Sequence, residues 1–142
     1  MVRRMRLLLA LAVIAIALLG VTVAAPTAAS GEGTALRIVV WPEGIDGSSR
    51  VYSLRCPRAT GSLPSPKTAC AKLAKLGRSA FLPVPRDAVC TQIYGGRQVA
   101  RVTGRLAGRS LWVTFRKRDG CESARWSRLA FLFPVSRAAG SP

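Results

Sequence analysis

The sequence predicts an α+β domain: about five antiparallel strands and two short helices, held together by two disulfides. Three observations lead there. Short alternating or β-branched stretches, bounded by Gly, Pro, Asp and Ser, recur along the chain. One other stretch carries apolar residues at helical spacing, and a second is read as a short helix around Trp126. Four cysteines occur in a chain of only 142 residues whose first segment has the layout of an export signal. A chain of this length holds one small domain plus its targeting segment.

The N-terminal segment comes first. Arg3, Arg4 and Arg6 precede an uninterrupted apolar run from Leu7 to Leu19, followed by the small residues Val23-Ala24-Ala25-Pro26-Thr27-Ala28-Ala29-Ser30. That order is the order of a secretory signal peptide. The apolar run is shorter than the ~20 residues that span a bilayer. Pro26 disfavours cleavage after Ala25, so residues 1–29 are assigned to the signal, and the membrane is met only through it. The secreted, extracellular protein then has a flexible leader over 30–34, a folded domain over 35–135 and a flexible tail over 136–142.

Within the domain, Ala35 to Trp41 and Ser49 to Cys56 alternate and flank the turn Pro42-Glu-Gly-Ile-Asp-Gly-Ser48, which predicts a hairpin. Tyr52 and Leu54 share the core side with Cys56. Ser65-Pro66 reads as an N-cap and first helical residue, and Gly77 as the stop. Between them Ala69, Cys70, Leu73, Ala74 and Leu76 make one apolar face, with Lys67, Lys72 and Lys75 around the rest. Pro83 and Pro85 keep 81–90 extended or looped. Gln98 to Leu106 and Ser110 to Lys117 form two further strands, with Leu111, Val113 and Phe115 opposing Trp112, Thr114 and Arg116. Cys121 to Arg128 predicts a short helix around Trp126, and the apolar run Leu129 to Phe133 a fifth, closing strand. Trp112 and Trp126 are both assigned to the core, because so small a sheet needs aromatic filling.

Composition narrows the chemistry. The chain has no His, which removes Ser-His-Asp and Cys-His catalysis and His-ligated metals. Its six carboxylates, Glu32, Glu43, Asp46, Asp87, Asp119 and Glu122, are scattered. Glu43 with Asp46, or Asp119 with Glu122, lie in turns and have simpler roles as solvated or capping groups. No enzyme, catalytic residue, cofactor or metal site is therefore expected. Cys56, Cys70, Cys90 and Cys121 are too widely spaced for a zinc site of close pairs. They read as two disulfides, whose pairing the spacing alone leaves open among three arrangements.

Several blocks in this order resemble the Streptomyces-type subtilisin inhibitor family: Ser53-Leu-Arg-Cys56-Pro57, Gly61-Ser-Leu-Pro64 leading to Thr68-Ala-Cys70, Asp87-Ala-Val-Cys90-Thr-Gln-Ile-Tyr94, Gly104-x-x-x-Gly108 and Asp119-Gly-Cys121-Glu122. The likeness runs over about residues 35–135. It implies pairing of Cys56 with Cys70 and of Cys90 with Cys121, a five-stranded antiparallel sheet, and a homodimer formed through that sheet. It also implies a standard-mechanism inhibitor of a secreted, subtilisin-like serine protease. The protease-binding loop would then be Cys90, Thr91, Gln92, Ile93 and Tyr94, with the reactive bond between Gln92 and Ile93.

The chemistry of such a loop needs no His or metal. A strand-like segment joins the protease cleft through main-chain hydrogen bonds. A disulfide two residues before the scissile bond keeps the new amine beside the acyl-enzyme, so religation competes with water. This chain departs from the family pattern in four places. Gln92 stands where Met or Lys is familiar, Thr91 where Pro is frequent, and Gly95-Gly96 where some members have Asp-Pro. Asp119 stands where an Asn supports the loop. Two glycines are expected to loosen the loop's far side.

A second reading comes from the charge. There are 22 Lys and Arg against six Asp and Glu, a formal net charge of +16. Arg97, Arg101, Arg105 and Arg109, with Arg116-Lys117-Arg118, suit a cationic binder of polyanions or cell-envelope polymers, and the first three suit one sheet face. Nucleic acid is set aside as a partner because an exported protein rarely meets it and no stacking aromatics are expected to interleave these cations. Inhibition of a secreted metalloprotease is the remaining alternative.

Overall fold

The computed structural model describes residues 33–135. The expected signal segment 1–29, leader residues 30–32 and tail 136–142 lie outside the described residues. Strands β1 (Thr34–Trp41), β2 (Arg50–Cys56), β3 (Gly96–Leu106) and β4 (Arg109–Lys117) form one antiparallel sheet in the order β2-β1-β3-β4. Two helices, α1 (Pro66–Leu76) and α2 (Gly120–Arg128), and two short 3₁₀ turns, Arg78–Phe81 and Ala130–Leu132, complete the α+β fold. Among the described residues no helix is long and apolar enough to cross a membrane.

Register sends every second side chain to the same side. Leu54 faces Leu36, Ile38 lies between Tyr52 and Val102, and Ala100 lies between Val40 and Phe115. These inner residues meet Ala69 and Leu73 of α1, Trp126 of α2, and Leu129, Leu132 and Phe133 beyond it in one buried cluster. Phe133 links the pieces, with its ring centroid 5.1 Å from Phe115 and 4.7 Å from Trp126. The hairpin, both helices and the opposition of Leu111, Val113 and Phe115 to their neighbours match the sequence pattern.

The sheet has four strands, not five. Leu129 to Phe133 continues directly from α2 with no turn to reverse the chain, and closes as the 3₁₀ turn Ala130–Leu132. Leu129, Leu132 and Phe133 are buried while Ala130 is exposed. That is the period of a tight helix rather than the alternation of a strand. Trp126 is a core residue, but Trp112 is not: it projects from the opposite face of the sheet and is 70% exposed. Helix α1 begins after Ser65 as expected, although Ser65 has φ 54° and makes no side-chain cap. The first helical bond comes from Ala69 N–H to its backbone oxygen, at 3.1 Å. Gly77 closes the helix at φ 60°, its N–H donating to Leu73 O.

The two disulfides join Cys56 to Cys70 and Cys90 to Cys121, with Cα atoms 5.7 and 5.4 Å apart. The first ties the end of β2 to α1. The second ties the long segment between the Arg78–Phe81 turn and β3 to the first turn of α2.

Candidate functional site

The segment from Leu82 to Gly95 has no regular secondary structure, and its position follows from what lies under each end. At its start Arg125 of α2, only 9% exposed, turns its guanidinium inward. Its Nε donates to Leu82 O at 2.7 Å and its Nη2 to Phe81 O at 3.1 Å. Its Nη1 pairs with Glu122 at 3.0 Å, and the Phe115 ring lies beneath it with 4.4 Å to the centroid. A buried cation with charged and carbonyl partners is stabilised where a lone one would not be.

The middle of the segment is held by α2's first turn. Asp119 is the N-cap: its Oδ1 accepts from Glu122 N–H at 2.8 Å. Gly120 N–H donates to Thr91 O at 2.9 Å, beside the Cys90–Cys121 disulfide. A side chain at position 120 would collide with Thr91 Oγ1, so glycine lets the loop lie directly on the helix start. On the far side Gly95 N–H donates to Lys117 O at 2.7 Å, at the end of β4. Between these anchors Gln92 is exposed, Ile93 is 69% exposed and Tyr94 62% exposed. The Gln92 amide folds back, its Nε2 donating to Cys90 O at 3.3 Å.

The predicted loop is therefore one short stretch with an anchor on each side, half-buried at Cys90 and exposed from Thr91 to Tyr94. The glycines do not act as expected. Gly96 has φ 129°, a conformation open to glycine and costly for other residues, and it starts β3. Gly95 lies against Ser123 of α2 so closely that a Cβ there would collide with Ser123 Oγ. Gly95-Gly96 is the fixed end of the loop. Asp119 likewise supports the loop through the helix it caps, and its Oδ2 lies 3.4 Å from Arg118 Nε. Sequence reading missed Arg125, although Glu122 and Arg125 stand three apart in the predicted helix, the spacing at which such side chains meet.

Three of the carboxylates, Glu43, Asp119 and Glu122, have structural partners. Glu43, in the turn between β1 and β2, pairs with Arg97 of β3 at 2.9 Å, both side chains being solvent-exposed. Cys90, Asp119 and Cys121 bring ligand-type atoms within 4.8 Å of one another. The two sulfurs are consumed in a disulfide and offer no thiolate, so the trio is not a metal centre.

The outer face of the sheet differs from the sequence expectation. Arg101 lies between two indoles, its Cζ 5.5 Å from the ring centroid of Trp41 and 5.5 Å from that of Trp112. Arg101 is thus flanked by aromatic rings on both sides, an arrangement that the sequence pattern did not bring out. Comparison with known proteins yields no matching family model and no matching curated protein.

Proposed function

We propose that this protein is a secreted standard-mechanism inhibitor of serine proteases of the subtilisin type, with Gln92–Ile93 as its reactive bond. One observation carries the reading: an exposed Gln92–Ile93 bond bracketed by a disulfide and two main-chain hydrogen bonds, Gly120 N–H to Thr91 O and Gly95 N–H to Lys117 O. The protease serine attacks the Gln92 carbonyl carbon, and the peptide nitrogen of Ile93 leaves as an amine after taking a proton. In a free peptide that amine diffuses away. Here Gly95 stays bonded to the sheet and Thr91 to α2, so the amine remains within reach, attacks the ester and restores the peptide bond.

Rigidity before binding also reduces the ordering cost of docking, so an interface of ordinary size suffices for tight association. Gln92 fills the protease's primary pocket with a neutral side chain. That suits a permissive pocket and offers no cation to an acidic one. The two disulfides are compatible with an extracellular setting, which the N-terminal sequence pattern supports.

The test is to incubate the oxidised protein with a trace of subtilisin and identify new termini by mass spectrometry. The expected result is one nick, between Gln92 and Ile93, approaching a fixed ratio of cut to intact chains from either side. Cleavage elsewhere, or run-through to peptides, would contradict the assignment.

A further inference from the structure

We infer that the open face of the sheet, opposite the helices, is a binding site for an anionic polysaccharide. The four strands contain no Asp or Glu, and their outward positions carry Arg37, Arg55, Arg101, Arg105 and Arg116. Arg55 and Arg105 occupy one cross-strand row with Ala35 between them, about 10 Å apart at the backbone. The small middle residue leaves a notch. It opens into a depression of about 570 Å³ lined by Arg55, Arg58 and Arg105 with Pro57 and Thr60. A second depression of about 390 Å³ shares Ala35 and Arg55 with the first and extends it to Arg37 and Thr103.

Two details make this more than diffuse charge. Arg105 is held in place, its Nε and Nη2 donating to Gly108 O at 3.2 and 2.8 Å, which leaves Nη1 outside that pairing. Trp112 pairs across the ladder with Thr103, and the stack over Arg101 fixes its ring while 70% of the residue stays open. Fixed cations suit sulfate, phosphate or carboxylate groups, and a flat indole beside them suits the apolar face of a sugar ring. Single-stranded nucleic acid is favoured by successive open aromatic platforms. Here Trp41 is partly covered and one indole stands clear among five arginines. Disulfides also belong to oxidising compartments, where surface glycans rather than nucleic acids are the common polyanions. None of the residues from Cys90 to Tyr94 lines either depression, so the site is separate from the loop, and the occupant that competes for this face is a second copy of the chain, which the family resemblance would seat on the sheet.

Heparin oligosaccharide, titrated onto the oxidised protein at about 0.15 M salt, is the probe. Trp112→Ala keeps the net charge and is expected to weaken binding about tenfold. Arg105→Gln is expected to weaken it about tenfold, while Lys67→Gln, an equal change of charge on α1, changes it less than about twofold. Equal losses for Arg105→Gln and Lys67→Gln, with Trp112→Ala unchanged, would reduce the site to overall charge and overturn the proposal. So would tighter, Trp112-dependent binding of a thymidine oligonucleotide. A dimer that Trp112→Ala dissociates and that excludes heparin would assign the face to a second copy instead.

Discussion

At the scale of single residues, Arg125 shows how the site is supported. Its guanidinium touches the start of the long loop, the first turn of α2 and the core ring of Phe115 together. Truncation to Ala would leave Leu82 O and Phe81 O without these donors and Glu122 without its buried partner. Arg125→Ala is expected to cost about 3 kcal/mol, read as a lower midpoint in urea denaturation. Arg125→Lys keeps the charge but not the planar fork that reaches two carbonyls at once, so it should fall in between. Half of this was legible. The Glu122–Arg125 spacing lies in a predicted helix, but the reach to residue 82 depends on tertiary packing that no local pattern encodes. Trp112 carries the same lesson: alternation put it opposite Leu111 and Phe115, and only the expectation that so small a sheet needs aromatic filling placed it in the core.

At the scale of elements, strands with strict alternation and the helix between Ser65-Pro66 and Gly77 were readable because each carries its own boundaries. The run Leu129 to Phe133 was not. Five residues that are nearly all apolar fit a strand or a tight turn equally well, and the absence of a reversing turn after α2 decides for the turn. Gly95-Gly96 was misread for a related reason. Glycine lowers rigidity in a free chain, but a positive φ at Gly96 and close packing at Gly95 make it the residue that lets a fixed junction exist. The junction's partner is the disulfide at the other end. Replacing Cys90 and Cys121 together by Ser opens a loop with a sequence separation of 31. The expected loss is a little under 4 kcal/mol, measured as a drop in denaturation midpoint. The same variant should be digested by subtilisin, its half-life falling as the cut ends separate.

At the scale of the whole molecule, the sheet divides the work between its faces. Its inner face, with α1, α2 and Phe133, makes the core and presents the loop from the first turn of α2. Its outer face carries the arginines and Trp112, away from the loop. The sequence indicated the loop's location and the sign of the charge. It did not indicate that the outward cations frame connected depressions, because that follows from the register of Arg55, Ala35 and Arg105 across three strands. The inhibitor account makes the loop, not the charge, responsible for protease binding. The most direct measurement is titration of the oxidised protein into a known amount of subtilisin, with trypsin and chymotrypsin beside it and Gln92→Gly in parallel. The account predicts subtilisin activity falling to zero at one protein per enzyme, with Gln92→Gly weakening binding roughly 30-fold. No loss of activity in any of the three enzymes, or an unchanged curve for Gln92→Gly, would contradict it.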